Sequence, residues 1–174
     1  MADRKTPSQR WRVWERVLLL AGLAGAACLR LFLVLPAYVS SPSMEPTLRV
    51  GDYFLINRTA YRRRPPRPGD IVAFHSLHRA EVWVKRAVAG ESDQVALHRG
   101  VLLRNGVPVA EPYIRQRLGL SYRPERVPPG HVFVLGDNRD TSDDSRHWGP
   151  LRRDFLVGKV LFVYWPPGRI GRPR

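Results

Sequence analysis

Cysteine is almost missing. Cys28 is the single one in 174 residues and lies inside an apolar run, so no intramolecular disulfide can form and no thiolate metal site can be assembled. Lysine is nearly as scarce. Lys5, Lys85 and Lys159 are the three present, while arginine supplies the rest of a Lys+Arg total of 29. Asp+Glu number only 15, which leaves a formal net charge of +14 and a pI near 11.2. That balance invites a nucleic-acid or anionic-membrane reading. An excess carried by arginine alone fits a GC-rich coding background as well, so no nucleic-acid partner is expected from it. What the imbalance does is make each rare lysine worth a question.

Metal-ligand spacing is also lacking. His75, His78, His98, His131 and His147 fall in no such pattern with acids or cysteines. The acidic stretch GDNRDTSDDSRHWGP, Gly136 to Pro150, has the density of a calcium loop. It has neither the glycine at the sixth position nor the glutamate at the twelfth. No metal and no cofactor is expected. A better account of this stretch is a network in which Asp140 and Asp144 hold Arg139 and Arg146 by charge-assisted hydrogen bonds.

What is present begins with a long apolar run, VLLLAGLAGAACLRLFLVLPAYV, from Val17 to Val39. A helix needs about twenty such residues to cross a bilayer core. Arg30 and Pro36 interrupt it, and a central arginine costs roughly 2.5 to 3.5 kcal/mol, which the surrounding leucines offset. Arg4, Lys5, Arg10, Arg12 and Arg16 precede the run and no basic residue follows until Arg49, so the N-terminus is expected in the cytoplasm. Trp11, Trp14 and Tyr38 fall where interfacial aromatics belong. A cleaved signal peptide is the alternative, but its apolar core runs to about 7 to 15 residues before a small-x-small site. The expected division is a basic cytoplasmic segment 1–16, a membrane anchor 17–39, an extracytoplasmic domain 40–168 and a solvated tail 169–174.

Beyond the anchor the chain is long enough for one domain with a core. Short β-rich runs alternate with Gly, Pro and Asn: DYFLINRTAY, DIVAFHSL, EVWVKRAVA, QVALHRGVLLRNG, HVFVLGDN and VGKVLFVYW. Asn105-Gly106 is a two-residue hairpin signal. The expected fold is mostly β, a compact sandwich or barrel-like domain behind a single transmembrane helix. Residues 115–130 give no readable pattern.

Two places hold candidate chemistry. In EVWVKRAVA the period-2 alternation puts Trp83, Lys85, Ala87 and Ala89 on one face. Desolvation there lowers a lysine pKa by up to about 3 to 5 units and yields a usable general base. Read on the strand alone, the commoner alternative is an edge lysine with its stem on apolar surface and its head in water. In SPSMEPTL, Pro42 and Pro46 restrict the backbone around Ser43, a nucleophile once a neighbouring base takes its proton. Ser41 and the Ser43 N–H could both point at one carbonyl oxygen. An ordinary polar turn is the competing reading.

Taken together, the motifs resemble those of bacterial type I signal peptidases, membrane-anchored serine proteases that remove signal peptides from exported proteins. CLRLFLVLPAYVSSPSMEPTLRVGDYFLINR resembles the anchor end and nucleophile motif, RPGDIVAF the second, VWVKRAVAGESD the lysine motif and GDNRDTSDDSRHWG the last. The resemblance implies Ser43 as nucleophile, Lys85 as general base and Ser41 as a hydroxyl donor to the oxyanion. It implies that Met44 shapes the site, that Ser142 orients the lysine, and that Asp144 and Arg146 buttress it. The implied partners are preprotein signal peptides with Ala-x-Ala-like ends and the lipid bilayer. The protein is then a monomer of the bacterial inner membrane acting near the secretion translocon. Two features depart from the family: Pro42 where glycine is usual, and Ala89-Gly90-Glu91-Ser92-Asp93 where Gly-Leu-Pro-Gly-Asp is common.

Two rivals predict different things. An autoproteolytic Ser-Lys repressor predicts a DNA-binding N-terminus in place of the apolar run. A noncatalytic, membrane-tethered basic module binding anionic lipid or nucleic acid predicts that Ser43→Ala and Lys85→Ala leave function intact while loss of Arg62, Arg63 and Arg64 weakens it.

Overall fold

The structure is a computed structural model that describes residues 7–28, 33–76, 81–114 and 119–173. Arg4, Lys5, Arg30 and His78 lie outside the described residues. A helix α1 (Pro7–Cys28) precedes β1 (Val34–Tyr38), β2 (Tyr53–Asn57), β3 (Ile71–His75), β4 (Val82–Ala89), β5 (Gln94–His98), β6 (Val101–Arg104) and β7 (Val107–Pro108). The chain continues with β8 (Tyr122–Arg126), β9 (His131–Leu135), a single helical turn α2 (Ser145–Trp148), β10 (Leu151–Arg152) and β11 (Leu156–Trp165).

The run expected to form one anchor over 17–39 divides into two structures. Its first part belongs to α1, whose side chains from Trp11 to Ala27 are exposed. Its last part is β1, paired antiparallel with β2 from Val34↔Asn57 to Tyr38↔Tyr53. Pro36 explains the change, since it breaks a helix interior but is tolerated on an edge strand. Leu35 and Ala37 pack on the core while Tyr38 faces outward, the alternation of a half-buried strand. The β domain therefore starts earlier than Ser40. Among the described residues no helix is long and apolar enough to cross a membrane.

The fold is mostly β, as expected, but it consists of two open sheets rather than a closed barrel. Seven strands run in the order β1-β2-β11-β3-β4-β9-β10, and four run β7-β6-β5-β8. Both faces of β3 are buried: Ile71 and Ala73 join Met44, Leu48, Phe54 and Ile56 in one core, while Val72 and Phe74 join Ala87, Val132 and Val134 in another. A third core, with Val95, Leu97, Leu102 and Phe133, joins the smaller sheet to β9. Burial of side chains this large contributes about 1.5–3 kcal/mol each relative to exposure.

Local sequence places the turns. Asn105 and Gly106 take φ of 55° and 78° between β6 and β7, the left-handed pair that a two-residue hairpin of this kind requires. The C-terminal residues expected to fray are instead pinned. Arg169 donates to both carboxylate oxygens of Asp52 and to the Thr47 carbonyl, and Val163 and Gly171 pair backbone to backbone. Charge pairing and a sheet edge give this tail the partners a solvated tail would lack.

Candidate active site

Ser43 stands in a single 3-10 turn, Pro42–Met44, on the way from β1 to β2. Ser41 is extended, φ −134° and ψ 148°, as a residue before proline prefers, and Pro42 fills the first helical position, where no N–H is needed. Proline in place of the usual glycine thus suits this turn. Met44 and Leu48, 2% and 0% exposed, plug the core below and fix the turn from beneath. Ser43 is itself buried. Its N–H donates to Ser41 Oγ at 3.3 Å, so the two groups expected to receive an oxyanion are turned toward each other here.

Lys85 lies in β4 opposite Val72 of β3. Its neighbours on that face, Trp83, Ala87 and Val72, all belong to or pack against one apolar core. Its Nζ lies 5.7 Å from the Trp83 ring centre. Its Nζ is 2.8 Å from Ser43 Oγ, in a buried contact between residues 42 apart in sequence. The edge-lysine alternative does not hold: Lys85 is buried, and among the described residues it forms no ion pair. Lys159 makes the contrast, because its Nζ pairs with Asp70 Oδ1 in a more exposed setting. Desolvation is the largest influence on Lys85 and lowers it from 10.5 to about 8, partly countered by the Asp144 and Asp143 carboxylates.

The loop from Gly136 to Gly149 clamps this pair. Asn138 donates its N–H to Ser43 O at 3.1 Å and its amide Nδ2 to Pro42 O at 3.3 Å. Asp137 accepts from Thr47 Oγ1 at 2.5 Å and, at both oxygens, from the Arg86 guanidinium at 2.8 and 2.7 Å. One buried carboxylate thus joins Thr47, just after the Ser43 turn, to Arg86, the residue after Lys85. Gly136 is required there: a Cβ would fall 2.2 Å from Ser142 Oγ and 2.6 Å from Ser43 O.

Asp144 and Arg146 pair with each other inside this loop. Asp144 is fully buried and accepts from Arg146 Nε and Nη2 at 2.7 and 2.9 Å and from Gly136 N at 3.0 Å. It also caps α2, in a reciprocal pairing with His147. Arg146 then donates to the carbonyls of Arg139 and Ser142, tying the loop across its own width. Two expectations change. Ser142 Oγ is buried without a hydrogen-bond partner, so it packs beside the site and makes no bond to Lys85. Arg139 pairs with Glu111 at 2.5 Å instead of with Asp140, which is exposed.

Sequence reading overlooked Thr47, Arg86, Gly136, Asp137, Asn138, Glu111 and Tyr113 as parts of this assembly. One signal was available for Arg86. Adjacent residues of a strand face opposite ways, so a cation directly after a buried lysine must itself find a partner on the other side.

With the geometry in place, likeness to other proteins is informative. The family described as "Signal peptidase, peptidase S26" matches residues 10–165. A probable signal peptidase I-1 of Synechocystis sp. is 37% identical, over 99% of this chain and 92% of that protein. Signal peptidase I of Bacillus caldolyticus is 38% identical over 93% and 94% respectively. A crystal structure of a signal peptidase I from Enterococcus faecalis superposes with a TM-score of 0.51 at 28% identity, covering 55% of this chain and 97% of that one.

Proposed function

The chain belongs to the signal peptidase family, peptidase S26, and from that premise we propose that it cleaves signal peptides with Ser43 as nucleophile and Lys85 as general base. One observation carries the assignment: a buried amine, with no counter-ion among the described residues, 2.8 Å from a buried hydroxyl. An unprotonated Lys85 Nζ accepts the Ser43 proton as Oγ attacks the scissile carbonyl carbon. The tetrahedral oxyanion accepts a hydrogen bond from the Ser43 N–H, and the exposed Ser41 hydroxyl turns from accepting that N–H to donating a hydrogen bond to the same oxygen. The lysine ammonium returns the proton to the leaving amine, which completes an acyl-enzyme. Lys85 then takes a proton from water as the water oxygen attacks the acyl carbon, and returns it to Ser43 Oγ as the ester C–O bond breaks.

Preproteins with small residues before the cut are the proposed substrates, by family likeness. Attachment to the bilayer is part of the same reading. Trp11, Trp14, Leu18, Leu19, Leu20 and Leu23 of α1 are 64–70% exposed, apolar surface that lipid would cover. A second patch supports a domain lying on the membrane. Tyr38, Tyr53 and Tyr164 form a ladder with ring centres 6.0 and 6.1 Å apart on the outer β1-β2-β11 sheet, and exposed Trp165 pairs with Tyr53. Such aromatics suit the headgroup level.

The deciding experiment is cleavage of a purified preprotein by the enzyme beside Ser43→Ala and Lys85→Met. Both variants should lose processing, by about 10² to 10⁴-fold for the base. Undiminished processing by either ends the assignment.

A further inference from the structure

The catalytic pair rests on a buried polar chain that reaches beyond the motifs. Arg86, 5% exposed, follows Lys85 in β4, so the two side chains leave the strand on opposite faces. All three nitrogens of its guanidinium are engaged: Nε and Nη2 on Asp137, Nη1 on Gly69 O at 3.0 Å, and Nη2 also on Thr47 Oγ1 at 3.4 Å. The ring of Tyr113 lies flush against it, 3.9 Å from Cζ to ring centre. Tyr113 donates its hydroxyl to Glu111 Oε1 at 2.8 Å. The same Glu111 oxygen accepts from Arg139 Nη2, and Arg139 Nε donates to Gly136 O at 3.1 Å.

Glu111 and Tyr113 come from the segment that follows β7, a strand of a different sheet from the one bearing Lys85. We propose that Glu111 and Tyr113 are positioning residues for catalysis, a clasp that holds the strand of the base and the loop of Ser142 in one register. This rests on the Ser43–Lys85 reading and extends it. The clasp is costly. Arg86, Asp137, Glu111 and Arg139 are each 3–6% exposed, and buried ion pairs of this kind add little net stability over apolar residues of equal volume. Their attested use is to specify one arrangement among several. Guanidinium stacked on an aromatic face adds orientation that a lysine at position 86 would lack. A shift of Gly136 would pass directly to Ser142 Oγ and Ser43 O, both in contact range of that glycine.

The test uses the full chain with Glu111→Gln, Tyr113→Phe and Tyr113→Leu, rates being expressed per folded molecule from near-ultraviolet circular dichroism. Glu111→Gln keeps volume and Tyr113→Phe keeps the ring on Arg86, so these two carry the test if Tyr113→Leu does not fold. The kcat of Glu111→Gln should fall by about 10- to 100-fold, the range expected for slight misplacement of reacting groups. KM of Glu111→Gln should stay within about twofold, because Glu111 is 4% exposed and its carboxylate is held by Tyr113 and Arg139. Tyr113→Phe should lose less than Tyr113→Leu. The apparent pKa of kcat/KM in Glu111→Gln should move upward, as a loosened site admits water to the amine. Wild-type kcat with an unmoved pH profile in Glu111→Gln overturns the clasp, and so does a change confined to KM. Processing by Ser43→Ala would instead overturn the catalytic assignment itself.

Discussion

Lys85 Nζ lies 2.8 Å from Ser43 Oγ, and both residues are buried. A charged amine in such a place would be paired with a carboxylate, as Lys159 is with Asp70. Lys85 makes no such pair among the described residues: its direct partner is a hydroxyl, and desolvation outweighs the Asp144 and Asp143 carboxylates, which favours an amine that works uncharged.

Removing that amine should stabilise the protein. Its native pKa of about 8 lies below the 10.5 of the unfolded chain. Between those values the unfolded state binds more protons, so this group makes stability rise with pH through that window and weigh most against folding below it. Each tenfold change in proton affinity is worth about 1.36 kcal/mol, so Lys85→Met should gain on the order of 3 kcal/mol at pH 7 and little above pH 10.5. Urea unfolding at the two pH values measures it. Destabilisation at both would mean that the lysine is not desolvated.

Ser41→Ala should leave the turn intact, since Ser41 is exposed and its single bond to Ser43 N is long at 3.3 Å. The kcat should drop by about 10² to 10³-fold, as for loss of one oxyanion donor, with KM little changed. Retained kcat in steady-state preprotein cleavage would remove Ser41 from the mechanism.

Gly136→Ala should be severe for its size. The added methyl meets the buried Ser142 Oγ at 2.2 Å and the Ser43 carbonyl, a backbone atom held by the Asn138 N–H, at 2.6 Å. A stability loss of about 1–3 kcal/mol is expected, with a larger loss of kcat because both contacts belong to the site. Gly90→Ala is the control, its nearest contact being Asp93 Oδ2 at an ordinary 3.9 Å. Thermal unfolding and preprotein cleavage of the two variants should separate clearly.

The strands bearing the site were legible because their chemistry is local. Lys85 stood out as one of three lysines among apolar alternation, and Asn105-Gly106 fixed its hairpin through backbone preference alone. The rest depends on partners distant in sequence. β1 was hidden because a continuous apolar run cannot be told from a helix by period, and only its pairing with β2 decides it. β8 was unreadable because Pro124 interrupts it, which is tolerated at the sheet edge where β8 lies. The Glu111–Arg139 pair replaced the expected Asp140–Arg139 pair because Glu111, from the segment after β7, is buried against Arg139, whereas Asp140 stays in solvent. Nothing in the spacing of these charges predicts that choice.

The most direct measurement is the pH dependence of preprotein cleavage by the intact enzyme, with kcat/KM and kcat determined separately. The free-enzyme profile should rise with pH to a plateau with an apparent pKa of about 8. The kcat profile should turn at a lower pH, because bound substrate strips more water from the amine. A kcat/KM profile with no limb between about pH 6 and 10, or one turning near the ordinary lysine value of about 10.4, would contradict a desolvated Lys85 as the base.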